Sequence, residues 1–327
     1  MTLNAEQQTE RFASLLEKSA DHIPTRHKMP PLWDLTKMDG GLPLQLRNVI
    51  ATAHVPTMNW GPKDPEAEVP EGTLLVELDS NGAFVAAASS ARFAHCALEH
   101  TGALDLTDAK TIPPGWMLVD VHQWQLGAPG SPLGANRPRG NQVWVPHTVY
   151  STLRDLTIGA PWGAPGGHWP DCTVYDSWTA DPVQFLKWYE VVRDTRAAAK
   201  VAGDAAASER IKVAYSQAVQ MWNTLPDKKG TPPEQRKKKN RAYRPDWYQA
   251  LRGQHAHNMW RRAYQATILG HPPLRVWDTD RILFREHDML ALLKREVAPF
   301  PLRLDETGVA LGTFKRTHRW YAGIEDM

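Results

Sequence analysis

Leu274-Arg275-Val276-Trp277-Asp278-Thr279-Asp280-Arg281-Ile282-Leu283-Phe284 is an apolar run that leads into an Asp-Thr-Asp turn and an apolar run that leaves it. Both flanks carry β-branched or aromatic residues, and Pro272-Pro273 bars a helix on the near side. The pattern predicts a β-hairpin. Two carboxylates on one tight turn repel each other and lose hydration on burial. A divalent cation held between them and a third ligand relieves both penalties. The plain alternative is an Asx-type turn in which Asp278 and Asp280 bond only the backbone. A third carboxylate decides between the two.

Working outward, Leu74-Leu75-Val76-Glu77-Leu78-Asp79 reads as a buried strand that ends in an acid. The turn signal Ser80-Asn81-Gly82 follows, then the apolar, helix-like run Ala83 to Ala88. Asp79 is the candidate third carboxylate; its structural alternative is a helix N-cap. Gly115 to His122 reads as another strand, followed by a Gly/Pro loop from Leu126 to Asn141 that carries Arg137 and Arg139. Pro146-His147-Thr148 opens a helix, and Gly159 to Pro170 is a second Gly/Pro/Trp loop.

Asp181-Pro182 supplies an N-cap and a proline at the first helical position, for a helix running through Trp188 to Lys200. Arg193, Arg196 and Lys200 then share a face. A second helix, Glu209 to Trp222, carries Lys212 and Ser216. Two helices presenting Arg and Lys suit a phosphate grip; the alternative is a solvated basic face. Lys228 to Arg244 is a basic loop containing Arg236-Lys237-Lys238-Lys239, suited to a nucleic-acid backbone or simply to water. A helix from His257 to Leu269 feeds the hairpin, a further helix lies around Asp288 to Arg295, and Lys315-Arg316 stand near the end. Ahead of all this, Phe12, Leu15 and Leu16 mark a short amphipathic helix, and His22, His27 and His54 read as ordinary histidines.

The 327 residues allow one large domain or two to three lobes, and a hydrophobic fraction of 42% with 23% charged is ordinary for a globular chain. A net charge of +2 means that attraction for polyanions must come from local clusters. Cys96 and Cys172 lack metal-ligand spacing and suggest no disulfide framework, which suits a reducing cytoplasm. Met1 to Phe12 has no signal-peptide core, and no run reaches the roughly 20 apolar residues of a membrane span. The 14 Trp are unusual, and several stand beside Pro or Gly, where they read as caps or stacking surfaces.

The order strand-Asp79, basic helices, Asp278-Thr279-Asp280 resembles motifs A, B and C of family B DNA polymerases. Motif A, Asp-x-x-Ser-Leu-Tyr-Pro, stands here as Asp79-Ser80-Asn81-Gly82-Ala83-Phe84-Val85. Motif C, Tyr-Gly-Asp-Thr-Asp-Ser, stands as Val276-Trp277-Asp278-Thr279-Asp280-Arg281. Motif B, Lys-x-x-x-Asn-Ser-x-Tyr-Gly, stands as Lys212-Val213-Ala214-Tyr215-Ser216, which keeps the Lys and loses the Asn, the second Tyr and the Gly. Leu311-Gly312-Thr313-Phe314-Lys315 is similar to the Leu-Gly-x-Trp/Phe-Lys strand after motif C. The resemblance spans roughly residues 70 to 320 in order. No Asp-x-Glu proofreading signature stands upstream in a suitable context, so a reduced polymerase, palm and fingers with little else, is expected.

The resemblance implies an α+β fold: an antiparallel palm with a helical fingers insertion. Residues 1–70 would be an N-terminal segment, 71–139 the first part of the palm, 140–254 the fingers with a basic loop at 224–245, and 255–327 the second part of the palm. It implies a DNA-directed DNA polymerase in which Asp79 and Asp280 hold two Mg²⁺ (or Mn²⁺) and Asp278 supports them. Arg193, Arg196, Lys200 and Lys212 would grip the triphosphate, and Phe84 would lie under the sugar and exclude a 2′-hydroxyl. Arg236, Lys237, Lys238, Lys239, Lys315 and Arg316 would follow the DNA. The implied partners are a primer-template, deoxynucleoside triphosphates and, as in some members, a protein primer; a membrane is not among them. Gly82, Ala83 and Arg281 depart from the motifs. They leave open a DNA-binding protein without catalysis, acting as a replication accessory or regulator, and a metal-dependent nuclease built on the same acids.

Overall fold

Between Leu74 and Ser80 the run LLVELDS has every residue but its first and Asp79 buried, as a strand flanked on both edges and covered on both faces requires. It is β1, and the computed structural model places it inside a four-stranded antiparallel sheet. The structure describes residues 43–127, 129–136, 138, 140–159, 166–223, 243–278, 280–294 and 302–323.

In chain order, α1 (Leu44–Thr52) precedes β1, and α2 (Ala83–Ala88) follows it directly. Four short strands come next: β2 (Phe93–Ala94), β3 (Glu99–His100), β4 (Gly115–Asp120) and β5 (Gln142–Pro146). Then come α3 (His147–Ile158), β6 (Asp176–Thr179) and β7 (Pro182–Val183), and a helical stretch of α4 (Leu186–Val201), α5 (Ala205–Asn223) and α6 (Pro245–Ile268). The expected hairpin is β8 (Arg275–Trp277) and β9 (Arg281–Arg285), followed by α7 (Glu286–Leu293) and β10 (Phe314–Tyr321).

The first sheet has the order β10-β1-β9-β8 and the second β3-β6-β4-β5, both antiparallel, while β2 and β7 form a separate pair. The fold is thus mixed α/β with antiparallel sheets. The main core joins Val76, Leu78, Ile282 and Phe284 of the first sheet to Met117 and Val145 of the second, with α3 and α6 between. A second core, around Phe93, Phe185, Trp222 and Trp247, holds α4, α5 and α6 together. Phe93 and Phe185 stack at 4.3 Å, and Trp222 and Trp247 meet edge-on at 5.5 Å.

Several expectations change in detail. The helix expected from Asp181 begins at Leu186, because Pro182-Val183 pairs with β2 as a strand. The helix expected from His257 begins at Pro245, with proline at its first turn and Trp247 and Leu251 buried in the aromatic core. Arg244, read as part of the basic loop, is instead fully buried and bonded to Asp246. The second sheet was not expected as a unit: β4 and β5 pair across the division placed at 139–140. Trp116 and Trp169, beside Gly115 and Pro170, are core residues rather than exposed stacking surfaces. The Phe12–Leu16 helix, Arg137, Arg139 and the 224–242 part of the basic loop lie outside the described residues. Cys96 and Cys172 are free thiols, and among the described residues no helix is long and apolar enough to cross a membrane.

Candidate functional site

Side chains alternate along a strand, so Leu75, Glu77 and Asp79 share one face of β1 and Val76 and Leu78 the other. Val76 and Leu78 enter the main core, while Leu75 packs with Leu283 on the opposite side. The alternation that buries Leu78 therefore carries Asp79 to the C-terminal tip of β1, outside the main core. Across the ladder Asp79 stands opposite Arg281, and one step further the Ser80 N–H donates to the Asp280 carbonyl at 2.9 Å. The hairpin turn is thereby pinned beside Asp79. Within the turn Asp278 adopts φ +51°, a left-handed conformation that Asp tolerates better than most residues. At the other end of the motif A turn, Gly82 at φ +59° occupies the N-cap position of α2, so Asp79 is not the cap of that helix.

The electrostatics follow from this placement. Burial, then the negative charge of Asp79, push the Asp280 carboxyl up to about 6; Arg281 opposes the shift. Asp79 has a cation of its own: Lys315 Nζ lies 3.2 Å from Asp79 Oδ2. A bulge in the β1–β10 ladder at Glu77/Leu78 puts Lys315 opposite Asp79 and leaves Thr317 as the extra residue. The buried Glu77 accepts a 2.7 Å hydrogen bond from Thr317 Oγ1, and Arg281 approaches it at 3.5 Å.

On the other side stands a basic wall from α4. Arg196 Nη2 donates to Asn81 Oδ1 at 2.8 Å, and Asn81 Nδ2 donates to the carbonyls of Gly308 (2.5 Å) and Ala310 (2.7 Å). Lys200 also donates to the Gly308 carbonyl. Burial first, then the charges of Arg196 and Lys315, hold the Lys200 ammonium below its ordinary value. Arg196, Lys200 and Lys315 are therefore one cationic cluster beside the two acids. Arg196 is buried, and its Nε and Nη1 have no hydrogen-bond partner among the described residues. The Phe84 ring, on α2, faces His255 of α6 at a centroid distance of 5.2 Å.

Not every expected residue converges here. Arg193 pairs with Asp194 at 2.7 Å and Arg316 with Glu306 at 2.6 Å. Lys212 is 58% exposed and stands 3.9 Å from Glu209 of its own helix. Arg236, Lys237, Lys238, Lys239 and Thr279 lie outside the described residues. Sequence reasoning missed Asn81, Glu77 and His255. Asn81 gave only a turn signal, since its partners are 227 and 229 residues away.

No protein-family profile matches the sequence, and no curated protein does. The fold, however, is similar to that of a DNA polymerase. One match is phi29 DNA polymerase in an orthorhombic crystal form, at TM-score 0.55 and 10% identity, covering 94% of this chain and 52% of that one. A second is phi29 DNA polymerase with primer-template DNA and incoming nucleotides, at TM-score 0.53 and 12% identity, covering 94% and 53%. The binary complex of the same polymerase with primer-template DNA gives 0.54 at 12% identity. This chain spans about half the length of these structures, and at such identity the likeness is one of fold.

Proposed function

We propose that the chain is a DNA-directed nucleotidyltransferase of the family B polymerase type, cytoplasmic, with the first sheet as palm and the α4–α5 helices as fingers. The observation that carries this reading is the nearness of the Asp79 and Asp280 carboxylates at one sheet tip, joined through Lys315 to the cationic cluster of Arg196, Lys200 and Lys315. Phosphoryl transfer is mostly positioning and charge stabilisation, and acids for metals beside bases for phosphates meet both needs. The polymerase fold found in complex with primer-template DNA and nucleotides agrees with it.

Two neighbouring carboxylates are donors of the kind a divalent cation takes, although among the described residues Asp79, Asp278 and Asp280 do not converge as a three-ligand cluster. Asp280 is raised by burial and then by its neighbour's charge, and the Lys315 ammonium already stands at Asp79 where a positive charge is wanted. Asp79 and Asp280 would hold Mg²⁺ or Mn²⁺, with Asp278 in support. When bound, such ions supply Lewis-acid stabilisation and a more acidic attacking hydroxyl. The protein's own part is to place the groups. Arg196 and Lys200 would bind triphosphate oxygens; the two Arg196 donors without a partner among the described residues are buried, so a side-chain rearrangement would have to bring them to the phosphate. Phe84, backed by His255, would close the space beneath the sugar. The attacking hydroxyl would come from a primer strand or from a protein primer.

A second reading, a DNA-binding protein without catalysis, draws support from Lys315 occupying Asp79. Extension of a labelled primer-template with dNTPs and Mg²⁺ or Mn²⁺, beside Asp79→Ala/Asp280→Ala, separates the two. The polymerase reading expects extension by the wild type alone. DNA binding with no extension from either a DNA or a protein primer would favour the second, and degradation without dNTPs would point to a nuclease.

A further inference from the structure

A separate set of ligating side chains stands at the end of the second sheet. β4 ends at Asp120, and His122 follows two residues on, where an extended chain puts both side chains on one side. Asp171 comes from the segment ahead of β6, which the Tyr175 N–H anchors to the Leu118 carbonyl at 2.9 Å. Asp120, His122 and Asp171 each offer one ligand atom within 4.8 Å of the other two.

Each acid is held by one oxygen. Tyr175 Oη donates to Asp120 Oδ2 at 2.6 Å; the Thr173 N–H and Oγ1 donate to Asp171 Oδ1 at 2.9 and 2.8 Å. Such supporting donors are how proteins orient carboxylate ligands. The imidazole gives a second, independent sign. His122 Nε2 is buried and has no hydrogen-bond partner among the described residues, although a buried ring nitrogen ordinarily finds one. Trp169, whose ring meets His122 edge-on at 5.4 Å, likewise has a buried Nε1–H without a partner, a donor suited to a metal-bound water.

We propose that Asp120, His122 and Asp171 bind a divalent transition-metal ion, zinc or manganese, at a site distinct from the Asp79–Asp280 pair. Two carboxylates and one imidazole give a mixed O/N set whose charge the ion cancels, and three protein ligands leave room for water. With bonds of about 2.1 Å, neighbouring ligand atoms stand roughly 3–3.5 Å apart. The three ligand atoms, within 4.8 Å of one another, would close to that spacing on binding. The ion would tie the end of β4 to the segment that leads into β6.

The test uses the full chain carrying Asp79→Ala/Asp280→Ala, which silences the first site, stripped with EDTA and titrated calorimetrically with Zn²⁺ or Mn²⁺. One ion per chain is expected, with a rise in Tm. Adding His122→Ala should abolish the binding. Tyr175→Phe, which leaves all three ligands in place, should weaken it about 10–100-fold while the circular dichroism spectrum stays unchanged. Absence of stoichiometric binding, or binding that survives His122→Ala, overturns the proposal.

Discussion

Lys315 and Asp79 face each other across adjacent strands with 3.2 Å between ammonium and carboxylate, so the acid proposed to hold a metal is already paired with a cation. Metal binding at Asp79 must then loosen that pair and free the lysine for a phosphate. Lys315→Met should tighten Mn²⁺ binding several-fold and raise the nucleotide requirement. A pair this exposed contributes at most about 1 kcal/mol to folding, so stability should hardly move. Manganese binding followed by electron paramagnetic resonance checks it; unchanged affinity would show that the pair does not compete.

Asp280 gives a pH signature of definite sign. Its folded-state value of about 6 lies above the ordinary 3.8, so the folded protein holds that proton more tightly. The resulting stability is full below about 3.8 and is lost as pH rises through about 6. Metal-free Asp280→Asn should therefore be more stable than wild type at neutral pH, by on the order of 1 kcal/mol after solvent screening, and no more stable in acid. Thermal melts in EDTA across that range decide the matter. The same ionisation makes metal affinity climb with pH through about 6.

The two acids were legible because each sits where a strong local pattern ends: an apolar strand for Asp79, a turn between apolar runs for Asp280. Their neighbourhood was less so. Asn81 bonds carbonyls more than two hundred residues away, and His255 meets Phe84 only because α6 crosses behind α2. Pairing between distant segments leaves no periodicity to read. For the same reason Pro182-Val183, a good helix start by composition, became a strand once β2 was available. Lys212 matched a motif by type and spacing, yet it stands on solvent-exposed surface beside Glu209.

Gly82, a departure from the motif A consensus, has a local reason. Its φ is +59°, and an added Cβ would meet Leu311 Cδ2 at 2.4 Å and Arg196 Nη1 at 3.1 Å. Gly82→Ser, which restores the consensus residue, should thus destabilise the protein, with about 1–2 kcal/mol from the left-handed backbone alone. It should also displace Arg196. Denaturant unfolding measures the first effect; a stable Gly82→Ser protein would refute the strained geometry.

Two buried arginines, Arg244 and Arg196, should respond unequally to the same substitution. Arg244 is forked onto Asp246 at 2.9 and 2.5 Å, donates to the Ala94 carbonyl at 3.1 Å, and stacks 4.2 Å over Trp247. Arg244→Met would strand the buried Asp246, and breaking such a pair costs about 3–5 kcal/mol. Arg196 is buried, bonds Asn81 through Nη2, and leaves two donor nitrogens without partners among the described residues. A buried charge so incompletely satisfied stabilises little, and exchange for an apolar side chain of similar length is close to neutral. Arg196→Met should therefore keep a stability within about 1 kcal/mol of wild type while raising the nucleotide concentration needed for extension. Chemical unfolding and nucleotide titration of both variants separate a structural arginine from a ligand-binding one. Equal losses of stability would place Arg196 with Arg244 and remove it from the phosphate grip.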